Sequence, residues 1–159
     1  MKKAIDVIST VLIVLLVALV LLLHGSKLIG INTYAVLSGS MEPSYPTGSI
    51  VYVRPIAGDE VKIDDPITFC SDGKTVVTHR AVKIDAEAKT IVTRGDANET
   101  DDAAIGFDDV IGKVVFSVPL LGYVAVFLST VAGKCFLVAG FLLAIILILL
   151  SEKVFKNNA

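Results

Sequence analysis

The chain begins with a long apolar run, VISTVLIVLLVALVLLL, from Val7 to Leu23. Its seventeen residues extend roughly 25 Å as a helix, just enough to cross the hydrocarbon core of a bilayer. The Met1-Lys2-Lys3 start also fits a cleaved secretory signal, but the run is long for one and no Ala-x-Ala-like site follows it closely. The sequence therefore predicts a cytoplasmic tip and an uncleaved transmembrane anchor in residues 1–30.

A second apolar run, from Cys135 to Leu150, lies near the other end of the chain and is followed by Lys153 and Lys156. Basic residues at both ends favour a cytoplasmic location of both termini. We therefore expect a multi-pass protein of the cell membrane. In this arrangement residues 134–159 form a transmembrane helix with a cytoplasmic tail, and the middle of the chain is extracytoplasmic.

The middle of the chain changes to short runs rich in β-branched residues, separated by turn residues such as Gly, Pro and Asp. The predicted strands are Ser49–Val53, Ile67–Phe69, Thr75–Thr78, Ala81–Ile84, Thr90–Thr93 and Gly112–Phe116. This pattern predicts a mainly β domain in residues 31–117, a small folded sheet or partial barrel flanked by transmembrane α-helices.

Residues 118–133 are apolar but interrupted by Pro119, Gly122 and Gly133. A third span here would place Lys153 and Lys156 outside, against the charge rule. We therefore expect this segment to lie at the membrane surface.

The charge of the middle excludes one class of partner. Between Ile31 and Ser117 there are 14 acidic and 8 basic side chains, and such an acidic domain does not favour nucleic acid. The two cysteines, Cys70 and Cys135, fall in the middle and in the second apolar run, so neither a disulfide nor a zinc site is expected. No cofactor or metal is predicted.

Three segments carry side chains suited to acyl transfer: Ser38–Pro43, Thr78–Arg80 and Arg94–Asp102. Alone, each has a plain interpretation, as a linker, a surface histidine and a solvated acidic loop. Together they supply a hydroxyl, a base and an acid, the groups that a serine nucleophile requires. His79 is the one histidine of the middle region, and histidine titrates near neutral pH. Asp96 and Asp102 both remain candidates for the acid.

The same segments resemble the motifs of the type I signal peptidases. Ser38-Gly39-Ser40-Met41-Glu42-Pro43 is similar to the nucleophile box of that family. Thr78-His79-Arg80 is similar to the general-base box of the branch found in the endoplasmic reticulum, in archaea and in some Gram-positive bacteria, which has histidine where the main bacterial branch has lysine. Residues 95–102 are similar to the acidic box. The resemblance covers roughly Ile5 to Tyr123.

The resemblance implies a membrane-bound serine endopeptidase that removes signal peptides from secretory preproteins after small residues. It assigns Ser40 as nucleophile, with the Ser38 hydroxyl and the Ser40 backbone N–H as oxyanion donors, and His79 as general base. It assigns Asp102 to the orientation of the base and Asp96 to a supporting acidic position, and it gives Met41 a part in the substrate pocket. The implied partners are preproteins and the lipid bilayer, with accessory subunits or secretion machinery left open.

Other residues compete for these roles. Lys74 or Lys83 could serve as base, as lysine does in the main bacterial branch. Lys74 follows a turn, a wet position, whereas Lys83 lies at an even offset from His79 and could share its sheet face. Cys70 could be a nucleophile, although a small side chain at a strand end is the plainer interpretation. Arg80 is expected to be solvated or to pair with a carboxylate such as Asp96.

Two other functions compete with the peptidase. A non-catalytic, membrane-tethered β module that binds extracellular partners would explain the anchors and the strands, but not three catalytic-type segments in this order. A self-processing peptidase would require a cytosolic effector domain and a cleavable segment, which the sequence does not suggest.

Overall fold

In the computed structural model, which describes residues 2–156, the predicted β region forms a seven-stranded antiparallel sheet. The strands are β1 Asn32–Ala35, β2 Ile50–Arg54, β3 Pro66–Ser71, β4 Thr75–Asp85, β5 Thr90–Arg94, β6 Ile105–Gly106 and β7 Val110–Val118. Their spatial order is β1-β2-β7-β3-β4-β5-β6. Three short 3-10 segments, Gly25–Ile29, Gly58–Glu60 and Phe107–Asp109, precede β1, β3 and β7 respectively. The mainly β fold class is confirmed.

Two apolar clusters stabilise the sheet. One contains Val61, Ile67, Phe69, Ala81 and Ile91, from β3, β4, β5 and the connection before β3. The other contains residues 51, 53 and 114, all valine, from β2 and β7. Each fully buried aliphatic side chain contributes roughly 1.5–3 kcal/mol to folding, so the clusters fix the strands that carry the candidate site.

The longest strand differs from the prediction. Thr75–Thr78 and Ala81–Ile84 were predicted as separate strands, but β4 is continuous through both, and His79 lies within it. The first half of β4 pairs with β3 and the second half with β5, so the strand changes partner at Arg80. The short strands β1 and β6 were not predicted, because neither has the long β-branched run by which the others were recognised.

The register of β4 also corrects the placement of Lys83. A β-bulge interrupts the pairing with β5 between Ala81 and Lys83, so that Ile84 pairs with Ile91 beside the first cluster. Because a bulge adds one residue, it reverses the face of every side chain that follows. The expectation that Lys83 shares a face with His79 is therefore wrong. Its side chain is 72% exposed and lies 3.1 Å from Asp101.

The apolar runs form helices. The terminal parts of the chain, 1–25 and 125–159, make one compact unit and residues 26–124 another. Helix α1 spans Lys2–His24, α2 Leu121–Ser129 and α3 Val131–Lys156. Within the terminal unit, the Ser151 hydroxyl donates a 2.5 Å hydrogen bond to Asp6, and this bond joins α3 to α1.

Two helices among the described residues are long and apolar enough to cross a membrane, at Lys3–Ile29 and Val131–Lys153, with mean hydropathies of 3.0 and 2.6. Helix α3 begins earlier than the predicted run at Cys135, because Thr130 caps it: the Gly133 N–H donates to the Thr130 hydroxyl. Pro119, Gly122 and Gly133 do not exclude helix from the preceding segment, where α2 forms between Pro119 and Gly133. The surface location of residues 118–133 stays a prediction.

Candidate active site

Ser40 lies in the turn that follows β1. Its carbonyl oxygen accepts a 2.9 Å hydrogen bond from the Ala97 N–H, and the Glu42 N–H donates to the Gly39 carbonyl over 3.0 Å. The Ser40 and Ser38 hydroxyl oxygens are 3.3 Å apart. The turn is thus tied to the loop after β5 as well as to itself, which restricts where the Ser40 hydroxyl can lie.

Gly95 allows that loop to approach. A Cβ atom at position 95 would lie 2.5 Å from the Ser40 carbonyl oxygen and 2.8 Å from the Asn98 amide nitrogen. Both separations are shorter than real contacts of Cβ atoms, and the first neighbour is backbone, which cannot turn aside. The absence of a side chain at Gly95 therefore permits the contact between the acidic loop and the serine turn.

His79 connects the serine to an acid. It lies in the middle of β4, 8% exposed, with its Nε2 atom 3.0 Å from the Ser40 Oγ and its Nδ1 atom 2.6 Å from the Asp102 Oδ2. The Phe69 ring packs edge-on against the imidazole with centroids 6.4 Å apart. The imidazole is therefore held between two polar partners and against one aromatic face.

Asp102 is fixed by Thr93. The Thr93 hydroxyl donates a 2.7 Å hydrogen bond to the Asp102 Oδ2, the oxygen that also faces His79, and the Asp102 N–H donates to the Thr93 carbonyl over 2.8 Å. Sequence reasoning missed Thr93. The available signal was a threonine two residues after Ile91 on the inward face of β5, and this threonine is fully buried.

Asp96 does not contact His79 through any hydrogen bond in the described part of the chain. It forms a two-point ion pair with Arg80, at 2.8 Å from Nε to Oδ1 and 2.6 Å from Nη2 to Oδ2. Arg80 also donates to the Asp64 carbonyl over 2.8 Å. This pair joins β4 to the loop after β5, and it is the pairing with a carboxylate that was one of the two expectations for Arg80. The two carboxylates therefore have different partners: Asp102 lies against His79 and Asp96 against Arg80.

The Asp96–Arg80 pair makes a testable contribution to stability. The Arg80 hydrogen bond, aided by Ser44, outweighs burial and holds the pKa of Asp96 below its ordinary value of 3.8. Since the folded-state pKa is depressed, the stabilisation is fully present above about pH 4 and is lost as the pH falls through the lower, folded-state pKa. We expect Asp96→Asn to lower the free energy of unfolding by about 2 kcal/mol at pH 7.

This prediction is checked by unfolding in detergent between pH 7 and pH 2. The difference in the free energy of unfolding between wild type and Asp96→Asn should become smaller at pH values below the ordinary aspartate pKa of 3.8. The exposed Asp59 is a matched control, and Asp59→Asn should change stability by less than about 0.5 kcal/mol at every pH. A deficit of Asp96→Asn that stays constant down to the lowest pH would show that the charge of Asp96 is not the cause.

The remaining predicted residues have different surroundings. Met41 is 2% exposed and belongs to the interior. Cys70 is half-buried in β3 as a free thiol. Lys74 lies in the turn between β3 and β4, where its N–H donates to the Ser71 carbonyl. Neither Lys74 nor Lys83 has a hydrogen bond to Ser40 among the described contacts, in contrast to His79.

The chemistry of Ser40, His79 and Asp102 follows from which of their atoms donate and which accept hydrogen bonds. An ionised carboxylate only accepts hydrogen bonds, so the proton between His79 and Asp102 belongs to Nδ1. The Nε2 lone pair then faces the Ser40 hydroxyl and can take its proton. The arrangement can therefore generate a serine nucleophile beside a second hydroxyl, that of Ser38, which can donate to developing negative charge.

Several curated proteins are similar to this chain in sequence. It is 33% identical over 114 residues to "Signal peptidase I W" of Bacillus subtilis, a match that covers 65% of this chain and 60% of the relative. It is 36% identical over 107 residues to a signal peptidase complex catalytic subunit of Sclerotinia sclerotiorum, covering 59% and 62%. A corresponding subunit of Candida albicans is 30% identical over 106 residues, covering 59% and 63%. The chain thus spans about 60% of the length of these relatives. No family model matches it.

Proposed function

We propose that this chain, a homologue of the signal peptidases, is a membrane-anchored serine endopeptidase that cleaves N-terminal signal peptides from secretory preproteins after small residues. One observation carries the proposal: the continuous hydrogen-bonded chain from the Ser40 Oγ through His79 to Asp102. If Ser40 belonged to a linker and His79 were an ordinary surface histidine, this geometry would have no explanation.

The proposed reaction is acyl transfer. The Ser40 Oγ attacks the carbonyl carbon before the cleavage site while its proton moves to the His79 Nε2, and Asp102 stabilises the resulting imidazolium. The Ser38 hydroxyl and the Ser40 N–H donate to the oxyanion. His79 then gives the proton to the leaving amine, and the C–N bond breaks. Water, deprotonated by the same imidazole, hydrolyses the acyl-enzyme and restores Ser40.

The free edge of β4 offers one side of a binding channel for an extended peptide. Strand β3 covers residues 75–80, whereas the pairing with β5 begins only at Arg80. Ala81 directs both backbone groups toward the β3 side, where they bond with Asp64 and Asp65. Alternation along the strand then points the backbone groups of Thr78 and Val76 to the opposite, uncovered edge. A peptide strand can pair there, immediately before His79.

The segment after β1 offers the other side. Val36 bonds with Ser49 and Gly48 on the β2 side, so the backbone groups of the next residue, Leu37, point outward. The Leu37 side chain is 78% exposed. Each of the two edges is followed in sequence by a reacting group: Ser40 follows Leu37, and His79 follows Thr78. An extended signal peptide between them would reach Ser40 with its scissile carbonyl.

The membrane topology is part of the proposal. The two apolar helices support membrane association, and the lysines beyond both apolar runs favour cytoplasmic termini. The catalytic domain is then extracytoplasmic, and the short link from α1 to Ser40 keeps the nucleophile near a substrate that is held in the same bilayer. This confinement raises the effective substrate concentration. The preprotein and the bilayer are the proposed partners, and accessory subunits or secretion machinery stay open.

The test uses purified protein in detergent and a preprotein with an Ala-x-Ala site. We expect one cut, after the second alanine, and no cut in a matched preprotein with lysine at that position. A Ser40→Ala preparation controls for contaminating proteases. The rival function, a β module that only binds partners, predicts an intact preprotein in every reaction, and that result would overturn the proposal.

A further inference from the structure

We propose, on the basis of the proposed function, that the first turn of α2 positions the nucleophile: Gly122 and Tyr123 hold the loop to which the Ser40 turn is bonded. This loop consists of residues 46–49 and is called the pre-β2 loop here, because β2 begins directly after it at Ile50. Both residues of α2 act through the loop, so they are positioning residues for the reaction.

The end of β7 brings α2 to the pre-β2 loop. Val118, the last residue of β7, pairs with Ile50 at the start of β2, so the chain leaves the sheet beside the loop. Leu120 then has a φ of 64°, a left-handed conformation that is uncommon outside turns. The Tyr123 N–H donates to the Leu120 carbonyl over 3.2 Å and closes this turn. The first turn of α2 therefore lies against the loop.

Two glycines permit the close contact between α2 and the pre-β2 loop. The Gly122 N–H donates a 2.8 Å hydrogen bond to the Gly48 carbonyl. A Cβ atom at position 122 would lie 2.6 Å from the Ser49 carbonyl oxygen, which is backbone and cannot turn aside. A Cβ atom at position 48 would overlap the Tyr123 ring. A side chain at either glycine would therefore force α2 and the loop apart.

The pre-β2 loop holds the serine turn from both sides. On the side before the nucleophile, the Gly48 N–H donates to the Val36 carbonyl over 2.8 Å, and the Val36 N–H donates to the Ser49 carbonyl over 2.9 Å. On the side after it, the Thr47 hydroxyl donates to the Glu42 carboxylate over 3.2 Å. A shift of the loop away from α2 would therefore be transmitted to the turn that carries the nucleophile.

The nucleophile and the base are held by different parts of the domain. His79 lies inside β4 and is fixed by the pairing of β4 with β3, whereas Ser40 lies in a turn outside the strands. Their reacting atoms are 3.0 Å apart, and a misplacement of about 1 Å in such a contact lowers a rate about 100-fold. Because the peptide-binding edge of β4 belongs to the same part as His79, the contact of α2 with the loop is expected to act on kcat more than on KM.

The test compares Gly122→Ala with Gly58→Ala in the cleavage of the Ala-x-Ala preprotein. Gly58→Ala is a matched control, because its Cβ atom would also meet backbone, 2.7 Å from the Phe107 carbonyl oxygen, in the connection between β2 and β3. In protein shown to be folded by denaturant unfolding in detergent, we expect Gly122→Ala to lower kcat about 100-fold, with a smaller change in KM, and Gly58→Ala to keep the wild-type kcat. A wild-type kcat in Gly122→Ala would overturn the inference and leave the proposed function intact. No cleavage by the wild-type protein would overturn both.

The pH dependence of kcat separates a positioning role from an effect on the base. The contacts of His79 with Asp102 and of Asp102 with Thr93 are made by β4, β5 and the loop after β5. Gly122→Ala should therefore lower kcat without a change in the pH at which kcat is half-maximal. A shift of that pH would show that the substitution acts on His79 and would contradict the assignment.

Tyr123→Ala decides the question if Gly122→Ala does not fold. The Tyr123 side chain is more than half exposed, so its removal introduces no clash, but it takes away the ring that covers Gly48. We expect a loss of about tenfold in kcat. The control is Phe116→Ala, because Phe116 is exposed to a similar degree and its ring packs against Tyr52; this variant should keep the wild-type kcat. An equal kcat in Tyr123→Ala and Phe116→Ala would overturn the inference.

Discussion

His79→Ala is expected to lower the rate of preprotein cleavage by a factor of about 10⁴ or more. The reason is the position of the imidazole, whose Nε2 atom lies 3.0 Å from the Ser40 Oγ. Without it no base accepts the serine proton, and no acid protonates the leaving amine. The initial rate of cleavage of the Ala-x-Ala preprotein, with wild-type protein at equal concentration, measures the effect. Residual activity would come from the oxyanion donors alone.

Lys83→Ala is the control for His79→Ala, because lysine is the base in the main bacterial branch. Its side chain is 72% exposed and pairs with Asp101 at the surface, whereas the hydrogen bond to the Ser40 Oγ comes from His79. We expect the wild-type rate. Abolition of cleavage by Lys83→Ala, with activity preserved in His79→Ala, would mean that the base is a lysine.

The sequence predicted the elements that carry strong local signals. The apolar runs predicted α1 and α3, because backbone groups inside a bilayer must be satisfied within the segment. The β-branched runs predicted most of the sheet, including β2 and β7. Short strands such as β1 and β6 depend on partners distant in sequence, and a local pattern carries little information about such partners.

The register of β4 could not be predicted for a similar reason. The bulge after Ala81 is a property of the pairing between two strands, and a single-residue shift changes the face of Lys83 without any change in local composition. The partner of each acidic side chain could not be predicted from the sequence either. Asp96 and Asp102 lie in one loop, and only the approach of that loop to β4 places one beside Arg80 and the other beside His79.

The site was predictable where chemistry restricts residue type. His79 was identified because it is the one histidine of the middle region, and Ser40 because its segment resembles the nucleophile box of the signal peptidases; the structure brings the two within hydrogen-bonding distance. Thr93 was missed because threonine is common in strands, and its contact with Asp102 depends on the inward face of β5. The catalytic roles themselves stay predictions that the variants test.

Asp102→Asn is the second variant with a large expected effect, a loss of about 10³-fold or more in the rate of cleavage. The Asp102 Oδ2 accepts hydrogen bonds from both Thr93 and the His79 Nδ1. An amide is neutral, so it stabilises the imidazolium less. If its NH₂ group faces Nδ1, the imidazole proton moves to Nε2, and Nε2 can no longer accept the Ser40 proton. The measurement is the cleavage rate as a function of pH, with a rise expected at alkaline pH where hydroxide competes as base.

Two further asparagine variants make this result specific. Asp101→Asn changes the neighbouring acid, which pairs with Lys83 and Arg94 at the surface, and should leave cleavage unchanged because surface pairs contribute little. Asp96→Asn should lower the free energy of unfolding, because Arg80 loses its charged partner. The cleavage rate, measured well below the unfolding temperature, should be affected less. A rate in Asp96→Asn as low as that expected for Asp102→Asn, in protein shown to be folded, would contradict the assignment of Asp102. The orienting carboxylate would then be the one that lies against Arg80, and the contact between Asp102 and His79 would be structural.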